Sequence, residues 1–447
     1  MKQISKKILF TIIFLSTSTL SLYSTTILTT GYRQHSAIDE MPKNNVKDTK
    51  TIPQNTEAFS QQITPMSSEE QLQYDAEYNQ KFFSPWQLPF MDLTEEEKTW
   101  QFKYATEKTY FRRGKRIPKS WYDTMIKNSN FKAYESLSLP AISIKHTDFK
   151  IFPTSTAIYY DPKRTGEGFP FDYNQNSALY INTPLFVSHY SLDKKWVYVK
   201  SSFAFGWIKL EDIAFVDQNF ISEFQNNNYA ITVRDNLSLK EDGHYISLIK
   251  MGTIFPINPL TKEYLHAKRD YRGYAYIDHV QVNETNIIAY KPIKFNAHNV
   301  SYISNQLVGE PYGWGGKLET RDCSAMTRDF FAPFGIYLRR NSRQQAEDGA
   351  EFISLKGLDK TNKKRTIVNS AKACRSLLFV PGHIMLYLGT KHGKPTILHN
   401  YWGVRLKNGS KRVMGRAIIT TTEPGVERSD IKKKSLLINS LTGIVNF

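Results

Sequence analysis

The chain holds two cysteines, and only one of them sits where a thiol could do chemistry. Cys323 lies in Arg321-Asp322-Cys323-Ser324-Ala325-Met326, just after the loop Tyr312-Gly313-Trp314-Gly315-Gly316. Glycines allow a tight loop with close backbone approach, and Asp322 is suited to cap a helix running through Phe330. Cys323 then falls in the first helical turn, where unpaired N–H groups and the positive end of the helix dipole favour a thiolate and predict a pKa below the free value of about 8.5. Cys374 has no such surroundings and reads as structural.

A thiol nucleophile needs a base, and the base needs an orienting group on its far nitrogen. Four histidines follow residue 290. The run Pro381 to Gly389 alternates as a strand, with His383, Met385 and Tyr387 on one face and Ile384, Leu386 and Leu388 on the other. After a turn at Lys391 to Lys394, Ile397-Leu398-His399 reads as the next strand of a hairpin, so that His399 can hold the ring of His383. His392 belongs to the turn and His298 precedes a helix expected to be capped by Asn299, with Val300, Ile303 and Leu307 on one face; neither is a candidate.

Upstream elements must position this set. Residues 71–143 read as a small helical domain or clamp: Tyr74, Tyr78 and Phe82 recur every four residues, and Thr94 with Glu97 forms a capping-box pattern. Residues 144–294 have strand texture. Asn182 to Val187 is echoed by Gly252 to Ile257, and Gly206-Trp207-Ile208 by Gly273-Tyr274-Ala275, which suggests two tandem units similar to bacterial SH3-like domains, 144–217 and 218–294. One irregular sandwich is the alternative.

The C-terminal segment resembles the catalytic domain of the NlpC family of cell-wall cysteine peptidases. The resemblance is carried by the Y-x-W-G-G loop, the D-C-S helix, the R-x-S-x-x-Q segment from Arg340 to Gln345, the G-H-I-x-L-Y-x-G strand and the H-x-x-W-G strand from His399 to Gly403. It implies a multidomain α+β chain: helical N-terminal region, two SH3-like barrels and a papain-like catalytic domain at 295–425. It further implies Cys323 as nucleophile, His383 as base and His399 as orienter, with Tyr312, Asp322, Ser324, Asn341 and Ser342 around the substrate. The order of domains is similar to the branch that cleaves the γ-D-glutamyl to meso-diaminopimelate bond of peptidoglycan stem peptides. Alternatives are a wall-binding protein that keeps the fold without catalysis, and an amidase or acyltransferase. Ala325 stands where glycine commonly follows D-C-S. Asn341 stands where relatives that grip a free peptide N-terminus often carry Asp, which predicts weak selection for a free L-Ala end.

Composition bounds the rest. The chain has 447 residues and 13% aromatics, and its 59 Lys and Arg against 42 Asp and Glu give a balance of +17. That balance favours a polyanionic partner, whether nucleic acid, anionic lipid or an acidic cell wall, and charge alone does not choose among them; the export signal below argues against nucleic acid. Lys2, Lys6 and Lys7 before the apolar run from Ile8 to Leu15 predict a signal peptide over 1–26 and an exported protein of the periplasm or envelope, without a stable membrane span after cleavage. Residues 27–70 read as a disordered tether and 426–447 as a basic tail. Two cysteines exclude a disulfide framework and multi-cysteine zinc sites. No H-E-x-x-H, G-x-x-x-x-G-K-[ST] or G-x-G-x-x-G motif occurs, so no metal or cofactor is expected.

Overall fold

The computed structural model describes residues 25–29, 46–282 and 284–447. Apart from Thr25 and Thr26, the expected signal peptide lies outside these residues. Among them, no helix is long and apolar enough to cross a membrane. The order is a helical N-terminal region, two β-rich SH3-like units and a mixed α/β catalytic domain.

Much of the expected tether is packed structure, which corrects that reading. Thr25–Thr29 is a strand between Leu237–Glu241, antiparallel, and Ala275–Val282, parallel. Residues 46–62 wrap the catalytic domain. Phe59 is fully buried. Gln54 gives its amide N–H to the Ile419 carbonyl at 2.8 Å and accepts the Ile419 N–H at 2.9 Å. Gln62 treats Thr390 in the same way, at 2.9 and 2.7 Å. Each glutamine thus stands in for one residue of a neighbouring strand. A few apolar anchors and these side chain to backbone bonds hold a segment whose composition is that of a linker.

The helix Ser68–Phe83 is capped by Ser67 and buries Tyr78, Phe82 and Phe83. Thr94 and Glu97 form the expected capping box at Glu95–Thr99. In the first SH3-like unit a seven-stranded sheet runs in the order Gln175–Leu179, Thr147–Lys150, Phe205–Lys209, Trp196–Lys200, Pro184–Tyr190, Leu139–Ser143, Ile213–Phe215. Its core, including Phe149, Leu185, Val197 and Ile208, is its own. The second unit has a small core around Leu237, Leu239, Phe255 and Val280. Its Tyr229, Ile231, Met251 and Ile254 bury instead in a cluster shared with the N-terminal helix and the catalytic domain.

The catalytic domain is a six-stranded antiparallel sheet in the order Glu351–Ser354, Gly443–Asn446, Ser376–Val380, His383–Lys391, Lys394–Arg405, Lys411–Thr421. The helices Ala297–Leu307 and Cys323–Phe331 supply Ile303, Leu307, Met326 and Phe330 to the core on its inner face. The first of these helices is capped by Asn296, whose side chain accepts the Asn299 N–H, three residues before the expected cap. Residues 426–447 are likewise not a tail. Gly443–Asn446 is an interior strand, and Ile438, Ile444 and Val445 are fully buried. The Lys432 to Lys434 run masked that apolar ending.

Candidate active site

Asp322 caps the helix Cys323–Phe331 by accepting the Ala325 N–H at 2.8 Å. Cys323 is therefore the first helical residue, as its spacing implied. Its sulfur receives the backbone N–H of Ile384, the residue after His383. Loop and strand thus meet at the thiol. Burial nevertheless pushes this thiol up to about 12, with the Asp322 charge acting in the same direction. Both outweigh the backbone donors, so the expected resting thiolate is corrected to a neutral S–H.

His383–Lys391 and Lys394–Arg405 form the expected hairpin, and His383 Nε2 lies 2.9 Å from His399 Nδ1. Burial lowers His383 to about 4 and His399 well below its ordinary value. Both rings are neutral. The tautomers follow from the far end of the chain of bonds. The Thr420 hydroxyl donates to the Thr421 carbonyl at 2.8 Å, so its oxygen can only accept from His399 Nε2, 3.0 Å away. A proton on His399 Nε2 leaves Nδ1 bare, and His383 must donate to it from Nε2. His383 Nδ1 is then the unprotonated nitrogen. The Tyr401 ring stacks on His399 at 4.7 Å and lies 5.3 Å from His383; His399 is fully buried and His383 half-buried.

A cleft of about 690 Å³ opens over Cys323, lined by Tyr312, Trp314, Asp322, Ser324, Asn341 and Ser342 from the catalytic domain. Its other walls are Tyr173 and Ser201 to Phe205 of the first SH3-like unit, and Asp92, Glu97, Trp100 and Tyr104 of the helical region. The second unit contributes nothing to it. Tyr312 is held well above its ordinary pKa by burial and by Cys323 and Asp322, so its hydroxyl is a donor.

Three of the expected substrate residues are occupied by the protein itself. Arg340 is buried and donates to both Asp322 oxygens at 3.1 and 2.7 Å, to Ser324 Oγ at 2.9 Å and to Ser177 Oγ of the first unit at 2.7 Å. Burial would raise the Asp322 carboxyl, but Arg340 and the capped N–H groups hold it below the usual range. Asp322 and Ser324, both in the cleft lining, are thus held in place by Arg340 next to the nucleophile. Asn341 caps the short helix Ser342–Gln345, accepting the Gln344 N–H at 2.9 Å and donating to Gln344 Oε1 at 2.8 Å. Its amide thus caps this helix while the residue stays exposed in the cleft wall.

Sequence reasoning assigned no role to Arg340, although it stands in the quoted R-x-S-x-x-Q segment. Thr420, in an apolar and threonine-rich strand, carried no signal. The two loop glycines have a reason outside the domain. At Gly315, φ +62°, and Gly316, φ +80°, a Cβ would come within 2.7 Å of the Gln175 carbonyl oxygen and 2.8 Å of Ala178 Cβ, both in the first SH3-like unit. Behind the loop, Arg321 is fully buried and bonded to Asp235 at 2.7 and 2.8 Å, Glu310 at 2.9 Å and Asp329 at 2.6 Å. Lys250 joins it through Asp235 and Glu310, each at 3.1 Å. Among the described residues, no group of three or more His, Cys, Asp or Glu is arranged to hold a metal ion.

This site can be set beside known proteins. Residues 309–422 match the NlpC/P60 family model. Residues 14–134 match the NLPC_P60 stabilising domain, 157–209 an SH3 domain of SH3b1 type and 217–262 an SH3 domain of SH3b2 type. The C-terminal domain belongs to the NlpC/P60 family. An NlpC/P60 endopeptidase from Photobacterium damselae subsp. piscicida has the same overall fold, with a TM-score of 0.80 and 22% identity over 88% of this chain and 97% of that one. An NlpC/P60 family protein from Bacillus cereus ATCC 10987 aligns at 14% identity over 69% of this chain and 99% of its own, with a TM-score of 0.44. Among curated protein sequences, none matches. The catalytic domain thus has the cysteine-peptidase fold of a peptidoglycan hydrolase family, and both SH3-like units are members of recognised SH3 types.

Proposed function

We propose that this family member cleaves the γ-D-glutamyl to meso-diaminopimelate bond of peptidoglycan stem peptides through a thioester on Cys323. The observation that carries the proposal is the directed set of bonds Thr420, His399, His383, which leaves Nδ1 of His383 bare on the residue next to Ile384, whose N–H bonds the Cys323 sulfur. In the reading it supports, Cys323 attacks the γ-carbonyl as its proton passes to His383 Nδ1. The C–N bond breaks, and His383 returns that proton to the leaving amine. Water then attacks the thioester with His383 as base, releasing the glutamyl carboxylate and restoring the thiol. The Cys323 backbone N–H, unpaired within the first helical turn, and the Tyr312 hydroxyl are suited to the oxyanion. No cofactor enters any step.

Selectivity in this reading passes from Asn341 to the opposite wall. Asp92 is exposed in the cleft without an ion-pair partner among the described residues, whereas Glu97 already accepts from the Thr94 N–H. A carboxylate there meets an ammonium group with a charge-assisted bond, roughly twice the strength of a neutral one. Free stem peptides are then favoured over those whose L-Ala is bound to muramic acid, the reverse of what Asn341 alone implied.

Incubation with a free tetrapeptide and with the intact muropeptide, followed by mass spectrometry, tests both points. L-Ala-γ-D-Glu is the expected product, and Asp92→Asn should lower the preference for the free peptide. Release of a whole stem from muramic acid would mark an amidase instead.

A further inference from the structure

The strongest unassigned surface is basic and starts in the helical region. Tyr110 and Arg116 pair as a two-residue hairpin bridge, the Phe111 N–H bonds the Lys115 carbonyl at 2.9 Å, and the Gly114 N–H bonds the Phe111 carbonyl at 2.8 Å. Gly114, at φ +82° with open space around it, turns the chain at a solvent-facing tip. Arg112, Arg113, Lys115 and Arg116 are all exposed there, and among the described residues no carboxylate pairs with any of them. Like charges crowded on one rigid turn oppose folding unless a partner uses them.

The positive charge does not end at the tip. The Arg112 guanidinium lies 5.5 Å over the ring of Phe169, which is 53% exposed. Lys163 and Arg164 follow on the same loop. Arg164 is partly offset by Glu167 at 2.7 Å. Gly166 of that loop is covered by Lys411 and Trp402, whose atoms would lie 3.1 and 3.4 Å from a Cβ placed there. The Trp402 ring is 5.8 Å from that of Tyr312, which lines the cleft. A band of cations therefore leads from the hairpin tip to the rim of the active site.

We propose that this band is a docking track for an acidic wall polymer, binding the free carboxylates of uncut stem peptides while a neighbouring stem occupies the cleft. The polymer follows from the band's end at the cleft rim and from its spread over several separate cations, which suits repeated carboxylates on one chain. A bilayer would be met by a broader apolar face than the single exposed Phe169. The identity of the polymer rests on the peptidoglycan reading above; the charge-based docking does not rest on the chemistry of Cys323.

The test uses the full chain and the fourfold variant Arg112→Gln, Arg113→Gln, Lys115→Gln, Arg116→Gln. Co-sedimentation with purified sacculi should weaken about tenfold or more in the variant, since several weak surface contacts act together. Turnover of a soluble tetrapeptide should be unchanged. Wild-type binding should fall when salt is raised from about 50 to about 300 mM, and when sacculus carboxyls are amidated. Equal sedimentation of variant and wild type, or undiminished binding to amidated sacculi, would overturn the proposal. So would hairpin-dependent flotation with anionic phospholipid vesicles without hairpin-dependent sacculus binding. Hairpin-dependent sacculus binding by a wild type that cleaves no soluble peptide would support the track and remove the catalytic reading.

Discussion

The two SH3-like units descend from similar sequence patterns yet serve opposite sides of the nucleophile. The first keeps a core of its own, lines the cleft with Tyr173 and Ser201 to Phe205, and gives Ser177 to Arg340. Among the described residues, the second lines none of that cleft. It shares part of its core with the catalytic domain and gives Asp235 and Lys250 to the buried network around Arg321, two residues before Cys323. One repeat became a wall and the other a buttress. The difference teaches that a tandem unit's role is set by what its second apolar face meets: the first buries Phe186, Trp196, Tyr198 and Trp207 with Met91 and Leu93 of the helical region, whereas the second buries Tyr229, Ile231, Met251 and Ile254 in the cluster that holds the catalytic helix.

The comparison has meaning only if the chemistry lies between the two units. Cys323→Ala and His383→Ala should each lower kcat/KM for the tetrapeptide by on the order of 10⁴ or more, with an unchanged circular-dichroism spectrum. Cys374→Ala, on a buried thiol that does not line the cleft, should leave turnover intact. The opposite pattern would dissolve the comparison.

Wall and buttress then separate by what they break. Asp235→Ala leaves Arg321 buried beside an unbalanced network and should cost about 3–5 kcal/mol in denaturant unfolding. Ser177→Ala leaves one Arg340 N–H unpaired and should cost only about 1–3 kcal/mol, but it loosens the group that holds Asp322 and should lower kcat. A stability loss as large at Ser177 as at Asp235 would erase the distinction.

A smaller effect is expected at Thr420, which touches neither unit. Thr420→Val removes the acceptor that fixes the His399 tautomer and should lower kcat by about tenfold with KM unchanged, whereas Thr420→Ser should restore it. Loss of stability alone, with kcat preserved, would leave Thr420 a packing residue.

The mildest signature is in pH. Burial lowers His383 from 6.5 to about 4, so it remains a base well into acid, and the acid limb of kcat/KM should fall nearer 4 than 6.5. Between those values the unfolded chain binds the proton and the fold does not, so this group's contribution to stability is lost as pH falls through that window. Burial raises Cys323 from 9.0 to about 12, so the fold retains that proton longer, and the corresponding contribution is lost as pH rises between those values. A conventional acid limb near 6.5 would mean that substrate entry rehydrates the pair.

Several features were legible because they depend on neighbours a few residues apart. Asp322 before Cys323, the period-two pattern around His383 and the return at His399 each specify a local shape, and all three appear in the fold. Asn341 was read only in part from the same kind of evidence. It does line the cleft, but its amide also caps Ser342–Gln345, a local demand the pocket reading left out. Residues 46–62 and 426–447 failed for another reason. Their polar composition is that of linker and tail, while their few apolar side chains find burial only against strands more than three hundred residues away in one case and within the same sheet in the other.

By itself, then, the sequence determined the nucleophile's helix, the histidine hairpin, the catalytic loop and the order of domains, because short-range periodicity, capping and glycine freedom suffice for them. Tertiary structure alone decided that the thiol is neutral, that both imidazoles are neutral in defined tautomers, that Arg340 grips Asp322 and that the second SH3-like unit braces Arg321. Those outcomes depend on burial and on partners brought together from distant segments, and burial reversed what the helix dipole favoured at Cys323 because removing a thiolate from water costs more than one helix end returns.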